Sequence, residues 1–82
     1  MRRDEILARV ADAMNELFDL ERTKVRPDAR LREDLDLDSL DAVDLAAHMQ
    51  SLTGRRIADA DLRRIRTVGD VVDVVERDLA RA

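Results

Sequence analysis

A chain of 82 residues, 45% apolar and 41% charged, has room for one modest core and a heavily charged surface, and residues 1–82 read as a single domain. The absence of cysteine excludes disulfides and thiolate metal sites, and the one histidine, His48, cannot build a multi-histidine metal site alone. The net charge of −4 is unevenly spread, with seven acids between Asp28 and Asp44 and five arginines between Gly54 and Arg66, a balance that favours basic protein partners and works against nucleic acid.

No apolar run approaches the roughly 20 residues of a membrane span, and no signal-peptide pattern opens the chain. The expectation is a soluble, cytoplasmic, monomeric protein. Phe18 is the only aromatic residue, so the core must come from Leu, Ile, Val, Met and Ala, which suits packed helices.

The first element is a helix over residues 4–18. Ile6, Val10, Met14 and Leu17 recur at three- and four-residue spacing, Leu7 and Phe18 widen the stripe, and Asp4 and Glu5 suit the helix start. From Asp19 to Asp38 the periodicity fails. Val25, Leu31, Leu35 and Leu37 are spaced there as anchors pinning a long connection onto the core, and connections of that length are often functional.

A second helix is expected from Ser39 to Leu52, stopped at Gly54. Its apolar residues form two stripes at 100° per residue. Ala42, Leu45, Ala46, Met49 and Leu52 serve the core, whereas Leu40, Val43 and Ala47 face away with Asp44 beside them and Asp41 further round. One stripe suffices for a surface helix, so the second implies a partner. A short third helix is expected at Asp59–Arg64, with Asp59 as its N-cap and Leu62 and Ile65 inward. The last begins with a capping box at Thr67-Val68-Gly69-Asp70 and keeps helical spacing through Val68, Val71, Val72, Val75 and Leu79. The fold class is therefore all-α: a small bundle of four helices, three longer and one short, with a long first loop.

Ser39, inside DLDSLDAVDL, stands among four aspartates. Helix capping accounts for one or two of those acids but not for the second apolar stripe. A calcium loop fits the alternation of Asp34, Asp36 and Asp38 but fails where it needs Gly (Ser39) and Glu (Leu45). Serine catalysis lacks a base, because His48 lies nine residues on, about 13 Å along the helix and on another face. No catalytic residue is expected. The remaining reading is covalent attachment of an anionic group, which a helix N-terminus stabilises, with the aspartates attracting a basic partner.

Asp38-Ser39-Leu40 within EDLDLDSLDAVDL resembles the phosphopantetheine attachment motif of acyl carrier proteins, and the order of helices fits that family along the whole chain. The resemblance implies that Ser39, beside Asp38, receives 4′-phosphopantetheine from coenzyme A through a phosphopantetheinyl transferase. The thiol of that arm carries acyl groups as thioesters, and the protein is a carrier without catalysis of its own. It further implies that Leu40, Asp41, Val43, Asp44 and Ala47 dock on partner enzymes. Asp36 stands where the family usually has Gly, and the arginines Arg55, Arg56, Arg63, Arg64 and Arg66 turn the second half basic.

The string DLDLDSLDAVDL, with His48, Leu52-Thr53-Gly54 and Arg66-Thr67-Val68, looks more like the carriers of bacterial aryl-polyene (xanthomonadin-type) pathways. Ketosynthase, ketoreductase, dehydratase and acyltransferase-type enzymes would then be its partners. Peptidyl and D-alanyl carriers share the fold, and an unmodified helical interaction module is the alternative outside the family. Ala42, Ala46 and Thr53 are small for inward positions, which leaves space for an acyl chain between the second, third and fourth helices.

Overall fold

A computed structural model describes residues 1–81. Among them the chain forms α1 (Arg3–Phe18), a short 3-10 turn (Arg22–Lys24), α2 (Ser39–Thr53), α3 (Asp59–Arg64) and α4 (Val68–Ala80), and no strand. The VVDVV run lies within α4, whose Val68, Val71, Val72 and Val75 are all buried.

Helix α1 buries Ile6, Val10 and Met14 as expected, together with Ala11 and Ala13. Leu17 is the exception: it is 39% exposed. Its angle around the helix is inward, but it lies on the last turn, at the rim of the core; periodicity predicts direction, not depth. The helix stops because Asp19 adopts a left-handed conformation (φ 58°), its N–H donating to the Asn15 carbonyl at 3.0 Å.

The long connection is pinned by the expected anchors, for Val25, Leu31, Leu35 and Leu37 are all buried. It is also sewn to the start of α4. Leu31 N donates to Arg66 O at 2.9 Å, Val68 N to Ala29 O at 3.0 Å and Gly69 N to Pro27 O at 2.9 Å, around an isolated antiparallel bridge between Arg30 and Thr67. Gly69 suits this seam: a Cβ there would crowd the Pro27 carbonyl oxygen at 3.0 Å. The seam satisfies backbone groups that an irregular segment over a core leaves open.

The capping box of α4 forms as expected. Thr67 Oγ1 accepts from Asp70 N at 3.2 Å, and Asp70 Oδ2 accepts from Thr67 N at 3.1 Å. Helix α3 differs from expectation at its start. Its N-cap is Ala58, which makes no side-chain cap, and Asp59 is the first helical residue. The Ala58 carbonyl takes both the Asp61 and Leu62 N–H groups, at 2.9 and 3.1 Å, which draws the helix back by one residue. Leu62 and Ile65 are half-buried against the core, but α3 itself contains no fully buried residue.

Candidate functional site around Ser39

Ser39 is the first residue of α2 and is exposed. Asp38, just before it, is the N-cap: its Oδ1 accepts from Asp41 N at 3.0 Å, and Asp41 Oδ2 accepts from Asp38 N at 3.1 Å. Two of the four aspartates around the serine thus form a reciprocal capping box that holds Ser39 at the tip of the helix. The amides of Ser39 and Leu40, at the helix start, have no acceptor among the described residues.

The alternating aspartates upstream go separate ways. Asp34 accepts from the Arg30 backbone N–H at 2.8 Å and from its guanidinium, and these contacts, the backbone bond foremost, hold its carboxyl below the usual carboxylate range. Asp36 takes a left-handed conformation (φ 56°), which accounts for glycine being usual there.

Beside Ser39 an open groove of about 440 Å³ runs between the end of the long connection, the start of α2 and α3. Leu31, Leu37, Ala42, Leu62 and Ile65 line it, with Arg32 and Arg66 at its edge. Neither these arginines nor the groove's continuity across α3 was anticipated from the sequence. Beneath it lies a void of about 10 Å³ lined by Leu45, Ala46, Ile57 and Val71, and shared with the groove through Leu31, Ala42, Leu62 and Ile65. That space barely admits one water. The small inward residues behave as expected in part: Ala46 and Thr53 are buried, and Ala42 is half-buried between groove and void.

The surplus stripe of α2 is left in solvent. Leu40 is 74% exposed and Val43 47%, Asp44 and Ala47 are exposed, and Asp41 is half-buried by its capping role. His48 lies on the other side of the helix, with Nε2 3.7 Å from Glu16 Oε2 on α1, far from the serine. At the end of α2, Gly54 is left-handed (φ 74°), as its stop role requires.

Two carboxylates away from Ser39 were not anticipated. Asp78 is 5% exposed although charged. Arg77 forks onto Asp61 of α3, donating to both carboxylate oxygens, and its Nη2 also lies 3.3 Å from Asp78 Oδ1. The fork, opposed by burial, lowers the Asp61 carboxyl below its ordinary value, and the two carboxylates together raise the guanidinium above its own.

An exposed serine at a capped helix tip, next to a groove of ligand size, fits a covalently attached, extended anionic arm better than a nucleophile, since no base stands beside it. Comparisons with known proteins identify the family. Residues 6–75 match the family described as "Phosphopantetheine attachment site". The chain is 48% identical over 80 residues to acyl carrier protein 2 of Ralstonia nicotianae, covering 98% of this chain and 99% of that one. It is 40% identical over 77 residues to the acyl carrier protein of Thermotoga maritima, covering 94% and 95% respectively. A crystal structure of an acyl carrier protein from Thermotoga maritima superposes with a TM-score of 0.87 at 27% identity, covering 99% of this chain and 94% of that one. The match to the attachment-site family over most of the chain and the near full-length relatives show that this chain belongs to the acyl carrier protein family, whose members are non-catalytic carriers of a covalent 4′-phosphopantetheine.

Proposed function

We propose that Ser39 is the attachment residue and that the chain shuttles acyl groups between enzymes of fatty-acid or polyketide-type synthesis. The observation that carries this reading is Ser39 itself, exposed at the start of α2 and opening on the groove. In loading, Ser39 Oγ forms the phosphodiester, adenosine 3′,5′-bisphosphate leaves coenzyme A, and the serine proton goes to a base of the phosphopantetheinyl transferase. When bound, the arm supplies a thiol for thioester formation that this cysteine-free chain lacks.

The chain's own residues do the positioning. Asp38 and Asp41 fix the helix tip, the free amides of Ser39 and Leu40 would hold the phosphodiester, and the groove would take the arm. Leu40, Val43 and Ala47, with Asp41 and Asp44, form the face that docks on the transferase and on ketosynthase, ketoreductase, dehydratase and acyltransferase-type partners. Its mixture of exposed apolar groups and acids suits a basic surface with an apolar centre. An acyl chain on the arm enters the bundle past Leu62 and Ile65, into the void between α2, α3 and α4. The setting is the cytoplasm, with the protein monomeric, and the string DLDLDSLDAVDL with His48 supports an aryl-polyene pathway.

The test is an intact mass after incubation with coenzyme A and a broad-specificity transferase, beside Ser39→Ala. A gain of one phosphopantetheine in the wild type alone is expected. A gain in the variant would move the attachment elsewhere, and no gain in either would favour an unmodified interaction module.

A further inference from the structure

The void beneath the groove is far too small for an acyl chain, so admission of cargo requires one wall to move. Four residues border both groove and void: Leu31 of the long connection, Ala42 of α2, and Leu62 and Ile65 of α3 and its C-terminal boundary, and of these the α3 pair has the lightest support. This helix is the most lightly seated in the bundle. It has six residues, too few to hold a helix by propensity alone, and none is fully buried.

Its polar contacts are mostly its own. Arg56 lies 3.7 Å from Asp59 within the same short stretch, and Arg66 Nη1 donates to the Arg63 and Ile65 carbonyls, closing the C-terminal end of the same helix. Among the described residues, one side-chain tie joins α3 to another helix: the fork from Arg77 of α4 onto Asp61. Asp61 directly precedes Leu62 and is only 13% exposed at its side chain. Asp78, almost wholly buried, accepts from the same guanidinium at 3.3 Å.

We infer that Arg77 is a positioning residue for cargo entry: its fork on Asp61 holds α3 against α4, and opening that fork lets Leu62 and Ile65 move so that groove and void become one channel. The fork sits on the side of α3 away from Ser39, among Arg55, Arg56 and Arg81, and so restrains the wall without obstructing the arm. A bidentate guanidinium–carboxylate pair is directional, so its loss frees rotation of the helix as well as its separation. A closed fork shields a thioester-linked chain, and an open one exposes it. The cargo half of this inference rests on the proposed loading of Ser39 and burial of the chain.

The experiment has two arms, with Arg77→Gln and Asp61→Asn as independent cuts of the fork and the swapped pair Asp61→Arg with Arg77→Asp as the rescue. The first arm uses the unloaded protein and reads amide hydrogen exchange by NMR. In each single variant, the hydrogen-bonded amides of residues 61–65 should exchange about fivefold to tenfold faster, with the buried amides of α1 within about twofold of wild type, and the swapped pair should restore most of the protection. Unchanged exchange in α3, or an equal rise in α1, overturns the inference whatever the state of Ser39. The second arm reads hydroxylamine cleavage of the octanoyl thioester on the loaded protein, expected to be several-fold faster in Arg77→Gln. Faster exchange with unchanged cleavage overturns the cargo role, and chain burial falls with it. Failure to load at all would already have appeared as a missing mass gain, so the two readings fail separately.

Discussion

Asp38 caps α2, and a pair of substitutions separates that role from the proposed role of its charge in loading. In Asp38→Ala the acceptor for Asp41 N, a 3.0 Å bond, disappears, and the reciprocal bond from Asp38 N to Asp41 loses its partner geometry. Loss of an N-cap acceptor costs about 1 kcal/mol and loosening of the return bond a few tenths more, so the expected loss is about 1–1.5 kcal/mol. At about 2.1 cal/mol/K of unfolding entropy per residue, a chain of 82 residues has about 0.17 kcal/mol/K, so Tm should fall by about 6–9 °C. Asparagine is as good an N-cap as aspartate, so Asp38→Asn should unfold within about 2 °C of wild type.

Thermal unfolding by circular dichroism reads the cap, and the rate of phosphopantetheine loading by mass spectrometry reads the charge. Asp38→Asn removes a charge without removing the cap. Its loading should slow about threefold to tenfold, the scale of one charge pair at the edge of an interface. A Tm for Asp38→Ala within 2 °C of wild type would refute the capping argument. Loading of Asp38→Asn at the full rate would show that the charge serves the helix alone.

Because Leu40 and Val43 are exposed, Leu40→Ala and Val43→Ala should each change stability by less than about 0.5 kcal/mol while raising the transferase KM several-fold; unchanged KM for both would remove the docking role of this face. Asp36→Gly should stabilise the protein by about 0.5–1 kcal/mol in urea unfolding, because the left-handed backbone at that position strains a side chain; a lower stability would place the carboxylate in a contact of its own. The carboxyl of Asp61 is lowered in the folded state from its ordinary 3.8, so its stabilisation is complete above that value and is lost as the pH falls through the folded value below it. The stability gap between wild type and Asp61→Asn should therefore be constant from about pH 5 to 8 and shrink as the pH falls below 3.8, and a gap that does not shrink in acid would mean the carboxylate is not what holds Arg77.

What could be read from the sequence was what local rules govern. Thr67 and Asp70 announced their capping box, Gly54 its stop, and the valines of α4 their face, because each depends on neighbours three or four residues away. The exposed Leu40–Val43 face was legible for the same reason, and the left-handed backbone at Asp36 explains why glycine is the usual residue at the position where this motif departs. Asp38 and Asp41 have the same spacing as Thr67 and Asp70, and their box obeys the same local rule, which is why capping accounts for two of the four acids around Ser39. Ties across the fold were out of reach. Nothing local says that Leu31 meets Arg66, that Arg77 meets Asp61, or that Leu17 falls beyond the core's edge, since each depends on where another element lies.

The seam between the long connection and the start of α4 divides the molecule in an unexpected way. The bonds Leu31–Arg66, Ala29–Val68 and Pro27–Gly69 bring together the two ends of one stretch of chain, residues 31–66. Ser39, the Leu40–Val43 face, the groove walls on α2 and α3, and Asp61 all lie inside it, whereas α1 and α4 lie outside. The stretch is a cassette clipped at its base onto a two-helix frame. Editing of the cassette's surface is then constrained from within by its buried residues, Leu31, Leu35 and Leu37 of the connection, Leu45, Ala46 and Met49 of α2, and Ile57, which must still fit the frame. Exchange of residues 31–66 as a block between relatives should carry partner choice with it, leaving the frame's own sequence free to drift with composition.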